Sequence, residues 1–195
     1  MRPIVAYHVV FSTYGFWLPN DPRGSWSKRV WAPLLVRFGP PVAVTTSRSR
    51  ARAPHDHARR QAAKLELQLP ALRFTGVQAR AVGRGIAVVA ESYGLPIYAA
   101  AVMPDHVHLV IARQAQRAED WVGYFKRAAS RKLREEKLHP FQDRPRVGGT
   151  LPTAWGAGGW KVYLHDDAEI IRNIQYVEQN PIVAGLPAQS WAFVT

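Results

Sequence analysis

The sequence feature that most limits what this chain can fold into is an alternating run at residues 103–113, Met-Pro-Asp-His-Val-His-Leu-Val-Ile-Ala-Arg. Because a strand sends alternate side chains to opposite faces, the alternation predicts a strand with His106 and His108 on one face. Two imidazoles about 7 Å apart along a strand can bind one divalent metal, as neutral imidazole often does. Paired histidines also occur as ordinary polar residues on a strand face. A metal site therefore needs a partner elsewhere in the chain.

The last helix of the sequence offers such a partner. Asp166 and Glu169 have the spacing of a helix N-cap box, and an apolar stripe follows them. We expect this helix to end at Pro181, because the residue before a proline avoids the helical region. A second face of the helix carries Tyr176 with amide side chains three or four residues away, at Asn173, Gln179 and Asn180. That face can offer a phenol and an amide to whatever lies opposite, or it can be a surface tyrosine with solvated amides.

The two motifs occur together and in order, as Pro-Asp-His-Val-His-Leu-Val at residues 104–110 and Tyr-Val-Glu-Gln-Asn-Pro-Ile-Val-Ala-Gly-Leu at residues 176–186. In this the chain resembles the single-tyrosine HUH transposases of the insertion-sequence-two-hundred-like group. It is most similar to the REP-associated tyrosine transposases, whose tail has the form Tyr-Ile-x-x-Asn-Pro-Val-Lys-x-Gly-Leu. Where that tail has lysine this chain has Ala184, a change that we expect to affect packing or DNA contact rather than chemistry.

The resemblance implies an enzyme, a transposase-type single-stranded DNA endonuclease and strand transferase. His106 and His108 would bind Mg²⁺ or Mn²⁺, with Asn180 as third ligand and the neighbouring Gln179 as the alternative. Tyr176 would attack the scissile phosphate and form a 5′-phosphotyrosine. The expected substrate is single-stranded DNA with hairpin (palindromic) elements, in DNA transposition or in the processing of repetitive palindromic sequences. The group that deprotonates the tyrosine is not identified.

The order of predicted elements gives the fold class. A β-rich first segment is followed by an insertion at residues 15–73, and then by helix, strand, histidine strand, helix, short strand and last helix. The part from the first to the last strand has the βαββαβ form of a ferredoxin-like domain, an α+β fold with an antiparallel sheet. The resemblance implies the same RRM-like HUH palm, with the tyrosine on the C-terminal helix. We expect one domain over residues 1–195.

Charge points to a polyanionic partner. The 195 residues carry a formal net charge of +12, which favours nucleic acid or an anionic surface. The candidate nucleic-acid-binding residues are Arg23, Lys28 and Arg29 in the insertion, among tryptophans, and Lys126, Arg127 and Arg131 in a basic helix. A solvated charged face explains either cluster equally well.

Composition narrows the class of protein further. The chain has no cysteine, which excludes disulfides and thiolate zinc sites. No apolar run is long enough to span a bilayer and no signal peptide is visible, so we expect a cytoplasmic protein without membrane contact. Of the remaining histidines, His8 is expected to be a core or site-adjacent polar group, and the pair His55 and His57 is not expected to bind metal.

Two other functions fit part of the sequence. A non-catalytic RRM-like protein that binds DNA or RNA hairpins would explain the charge and the fold, but it leaves the histidines and Tyr176 without a role. A metal-dependent hydrolase using the His-x-His pair would need more carboxylate ligands than the motif supplies. The sequence leaves open the target DNA, the choice between monomer and homodimer, and whether the protein mobilises its own element.

Overall fold

The chain is described by a computed structural model that covers residues 2–21, 30, 32–41, 54–146 and 148–195. Its elements fall in the order β1, a 3-10 turn, α1, α2, β2, β3, α3, β4 and α4. Their bounds are β1 Ala6–Ser12, the 3-10 turn Pro33–Phe38, α1 His57–Leu65, α2 Gly76–Tyr93, β2 Ile97–Val102, β3 His106–Ala112, α3 Ala118–Glu135, β4 Trp160–Leu164 and α4 Asp167–Val183.

The four strands form one antiparallel sheet in the order β2-β3-β1-β4. In the central pair, Val10 lies opposite His108 and Ser12 lies opposite His106. Residues that lie opposite each other in an antiparallel pair project from the same face. The antiparallel sheet with a C-terminal helix confirms the predicted α+β class.

The two faces of the sheet are covered by different helices. On one face α2 and α3 pack over the main core, which is built on alternate strand residues such as Val9, Phe11 and Leu109. On the other face α4 packs over a smaller cluster that includes Val110 and, from the helix, Val177. This arrangement explains why residues alternate along β3: one set of alternate residues, all apolar, faces α2 and α3, and the residues between them, which include both histidines, face α4.

The predicted cap is present at the start of α4, where Asp166 accepts a hydrogen bond from the Glu169 amide at 2.8 Å. Thr75 and Gln78 form a capping box at the start of α2, and Gly94 ends that helix with φ 54°. The last helix does not end before Pro181, and this prediction was wrong: α4 continues to Val183 with the proline inside it. A proline in the final turn removes only one helical hydrogen bond, and Pro181 is buried.

The described part of the 15–73 insertion has a small core of its own. Leu18, Leu35, Phe38 and Ala63 are buried together, which joins the 3-10 turn to α1. Asp56 caps α1 by accepting a hydrogen bond from the Arg59 amide. Sequence patterning did not reveal this short helix, because its arginines obscure the apolar period. Residues 42–53 lie outside the described part.

The C-terminal segment closes the free edge of β2. Gln189 accepts from the Val102 amide at 2.8 Å and donates to its carbonyl at 2.9 Å, as a neighbouring strand would. Trp191 lies over Gly83, where a Cβ would meet its ring at 2.1 Å.

Among the described residues, no helix is long and apolar enough to cross a membrane.

Candidate active site

The two histidines predicted to bind metal lie on the face of the sheet that α4 covers. His106 and His108 stand at alternate positions of β3, and their ring centroids are 4.7 Å apart. His108 is buried, whereas His106 keeps 18% of its side chain exposed at the end of the strand. The strand geometry thus brings the two imidazoles together as the sequence predicted.

His106 is oriented by a neighbouring carboxylate. Its Nδ1 lies 2.7 Å from Asp105 Oδ1, and the other oxygen of Asp105 accepts a hydrogen bond from Arg73 at 2.8 Å. A carboxylate oxygen can only accept, so the donor is Nδ1, and in the neutral ring Nε2 keeps the lone pair. The Phe16 ring stacks on the His106 ring, with centroids 5.2 Å apart. Carboxylates commonly orient metal-binding histidines in this way.

His108 belongs to a longer hydrogen-bonded chain that crosses three elements. Its Nδ1 lies 2.9 Å from His8 Nε2 on β1, and His8 Nδ1 lies 2.9 Å from Asn173 Oδ1 on α4. Asn173 Nδ2 in turn donates to the Glu169 carbonyl at 2.8 Å. Sequence reasoning gave His8 no definite role and noted Asn173 only as part of a polar face. The available signal was a histidine within an apolar strand.

Burial favours the neutral form of His8 and of His108. It lowers the pKa of His8 from 6.5 to about 4, and the hydrogen bond that His8 donates to Asn173 offsets only part of this effect. Burial also holds the pKa of His108 well below its usual range, and the charges that His106 and His8 would carry act in the same direction. Neutral imidazole is the form that binds metals.

The candidate nucleophile is next to this pair. The Tyr176 ring stands edge-on to His8 and His108, with centroid distances of 5.9 and 5.7 Å, and nearly half of the side chain is exposed. Tyr163, the other tyrosine near the C-terminus, lies in β4 with its ring against Tyr7 in the main core. Only Tyr176 of these two therefore shares the histidine face.

The candidate third ligands follow Tyr176 on α4. Asn180 stands seven residues after Asn173, so the two amides lie on nearly the same side of the helix, two turns apart. Asn180 is partly buried and Gln179 is exposed. Within the described ranges, no three histidine, cysteine or carboxylate side chains surround a common point as a metal centre would require. The two imidazoles of β3 are the metal-binding groups that lie side by side on this face.

The basic residues of α3 differ in what they contact. Lys126 donates to the Gly156 carbonyl at 2.7 Å and also to the Gly158 carbonyl, and burial lowers its pKa to about 8. That ammonium holds a loop, whereas the sequence analysis left open whether Lys126 contacts phosphate or lies on a solvated face. Arg127 and Arg131 are exposed, and the Arg127 guanidinium lies over the Tyr124 ring.

Two other sets of sequence-predicted residues remain. The candidates Arg23, Lys28 and Arg29 lie outside the described residues. His55 and His57 stand beside Asp56 at the start of α1, with ring centroids 3.9 Å apart. They belong to the insertion, apart from the sheet that carries the other histidines.

Comparison with known proteins gives one family and a few distant structures. A family model described as IS200-like transposase matches residues 73–180, more than half of the chain. A solved REP-associated tyrosine transposase bound to a REP hairpin is 12% identical, with a TM-score of 0.48 and coverage of 99% of this chain and 76% of that one. A Deinococcus radiodurans R1 structure described as a transposase is 17% identical, with a TM-score of 0.39 and 92% of each chain covered. No curated protein matches.

Proposed function

This chain belongs to the IS200-like transposase family, and we propose that it cuts and rejoins single-stranded DNA with Tyr176 as nucleophile and a divalent metal held by His106 and His108. One observation carries the proposal. The Tyr176 ring meets the buried His108 ring on the face of the sheet that displays both histidines. A surface tyrosine would not need this placement.

The donor set fits a divalent cation. His106 and His108 each have Nδ1 occupied by a neighbour, which leaves Nε2 for another partner. Asn180 supplies the third ligand in our proposal, since it follows Tyr176 by about one turn of the same helix. Imidazole and amide groups suit Mg²⁺ or Mn²⁺ when water and phosphate oxygens complete the shell. The bound cation would polarise the scissile phosphate and stabilise negative charge on its oxygens.

The chain's own residues carry the bond exchange. The Tyr176 phenolic oxygen attacks phosphorus and gives up its proton, the P–O3′ bond breaks, and the departing O3′ takes up one proton to leave as a 3′-hydroxyl. The product is a 5′-phosphotyrosine that conserves the energy of the phosphodiester, so a later hydroxyl attack can rejoin the strand. A phenol with a pKa of about 10 is mostly protonated at neutral pH, and the residue that accepts its proton stays unassigned.

The wider architecture supports the same assignment. The βαββαβ order from β1 to β4, with β3 central, is the ferredoxin-like arrangement that we equate with the HUH palm. We interpret residues 15–73 as an insertion into a single domain. The net charge of +12 favours a nucleic-acid substrate. We propose hairpin-containing single strands, as for REP-associated enzymes.

Metal-dependent nicking tests this function. Wild-type protein is incubated with a hairpin-flanked oligonucleotide and Mn²⁺, with EDTA as the matched control, and strand breaks are scored on a sequencing gel. His106→Ala and His108→Ala should each abolish cleavage while DNA affinity changes only a few-fold, because phosphate contacts dominate affinity. Full cleavage by both variants would end the metal-site proposal. Binding without any cleavage by wild type would favour a non-catalytic hairpin-binding protein.

The role of the basic helix is tested separately by salt dependence. Arg127→Gln with Arg131→Gln should flatten the plot of log affinity against log salt by about 0.7 for each phosphate of a single strand that the protein no longer neutralises. Lys126→Met is the matched control on the same helix, since its ammonium is engaged by backbone carbonyls, and it should leave the slope unchanged. If the salt dependence of the double variant equals that of wild type, Arg127 and Arg131 do not contact phosphate and this face of α3 is simply solvated.

A further inference from the structure

The hydrogen-bonded chain behind His108 has a direction, and that direction bears on the proposed metal site. Asn173 is fixed first: its Nδ2 donates to the Glu169 carbonyl, which turns Oδ1 toward His8. An amide oxygen can only accept a hydrogen bond, so His8 Nδ1 must carry the proton that it donates.

The second step follows from burial. His8 is 2% exposed, and within the described part of the chain its hydrogen-bond and ring contacts are His108, Asn173, Trp160 and Tyr176, none of which carries a carboxylate. A buried imidazolium without a counter-charge is costly. The ring is therefore neutral, and because Nδ1 holds its proton, Nε2 carries a lone pair.

The third step concerns His108 itself. Its Nδ1 lies 2.9 Å from the His8 Nε2 lone pair, and two lone pairs at that distance would repel. His108 Nδ1 must then be the donor. In the neutral ring this leaves Nε2 of His108 unprotonated, which is the only state in which that atom can bind a metal.

We propose that His8 and Asn173 are positioning residues that hold His108 in the Nδ1-protonated tautomer and so keep its Nε2 ready for the metal. This inference rests on the proposed metal site. It assigns to β1 and α4 the orienting role that Asp105 performs for His106. Helix α4 then supplies two residues to the site: Asn173, which accepts from His8 behind His108, and Tyr176, whose ring lies beside His108.

The tautomer can be read directly in the metal-free wild-type protein. Long-range ¹H–¹⁵N NMR distinguishes a protonated from an unprotonated ring nitrogen, and the His108→Ala spectrum identifies the His108 signals among the seven histidines. We expect His108 to be protonated at Nδ1 and bare at Nε2. A His108 ring protonated at Nε2 would overturn the proposal, whether or not the protein cleaves DNA.

Mn²⁺ affinity, measured by electron paramagnetic resonance, supplies the second readout. His8→Leu removes the acceptor, and we expect it to weaken Mn²⁺ binding about 10–100-fold, the usual cost of losing a residue that orients a metal ligand. His8→Gln should restore affinity close to wild type, because its amide oxygen can accept from His108 in place of Nε2. Equal Mn²⁺ affinity in wild type and His8→Leu would refute the idea.

The test still gives a clear answer if a variant does not fold or if the wild-type protein binds no Mn²⁺. If His8→Leu does not fold, Asn173→Leu breaks the same chain from the α4 end, and wild-type Mn²⁺ affinity in that variant would equally refute the proposal. If wild type itself binds no Mn²⁺, the proposed metal site fails, while the NMR tautomer still decides whether His8 directs His108. The failure of the further inference can thus be distinguished from the failure of the proposed function.

Discussion

Acid should destabilise this protein through His8 in a way that can be calculated. The pKa of His8 falls from 6.5 to about 4 on folding, because the ring is buried. Between these two values the unfolded chain binds the proton and the folded chain does not, so stability is lost as the pH falls through this window. The full pKa difference corresponds to about 3 kcal/mol, and about 2 kcal/mol of it should be lost by pH 5.

The variant His8→Gln removes the titrating group but keeps a hydrogen-bonding side chain. We expect the free energy of unfolding of wild type to fall by about 2 kcal/mol more than that of the variant between pH 7.5 and pH 5. Urea titrations in EDTA at both pH values measure this difference. The pKa of His108 is also lowered by burial. Because His108 is present in both proteins, its contribution to the difference in stability largely cancels.

A packing control separates titration from general damage. Trp160→Phe alters a ring that contacts His8 edge-on but leaves both hydrogen bonds of His8, so it should keep the wild-type pH response. If His8→Gln lost as much stability as wild type on going to pH 5, His8 would be protonated in the folded state. The conclusion that His8 is neutral and buried in the hydrogen-bonded chain behind His108 would then be wrong.

Two substitutions away from the site test the packing. Gly85→Ala should lower the free energy of unfolding by about 1–3 kcal/mol in urea titrations, because an added Cβ would come within 2.6 Å of the α3 backbone; wild-type stability would contradict the close approach of α2 and α3. Gln189→Ala should cost about 1–3 kcal/mol for the two hydrogen bonds to Val102, measured in the same way; no loss would mean that the C-terminal segment does not close the edge of β2.

The strand and the helix that carry the site could be predicted from the sequence, because residues close together in the chain determine both elements. The alternation around His106 and His108 specifies which face they take, since a strand has a period of two. The cap at Asp166 specifies where α4 begins, because its carboxylate accepts from the amide three residues later. Tyr176 could be placed on a helix from the apolar period alone, although what the phenol faces depended on the family resemblance.

The parts that sequence reasoning missed depend on contacts between distant residues. His8 and Asn173 are 165 positions apart and meet only because β1 pairs with β3 beneath α4. The destination of the Lys126 ammonium depends on a loop thirty residues further along the chain. The last helix continues through Pro181, which is buried, whereas the local rule about proline considers only the backbone of the preceding residue.

The central claim is that Tyr176 becomes covalently attached to DNA. Wild-type protein is trapped with a single-stranded hairpin substrate and Mn²⁺, digested with trypsin, and the DNA-bearing peptide is identified by mass spectrometry. We expect the adduct on the peptide that contains Tyr176. The variant Tyr176→Phe should bind DNA and give neither adduct nor cleavage, while Tyr163→Phe should keep both. An adduct on Tyr163, or robust cleavage by Tyr176→Phe, would contradict the account.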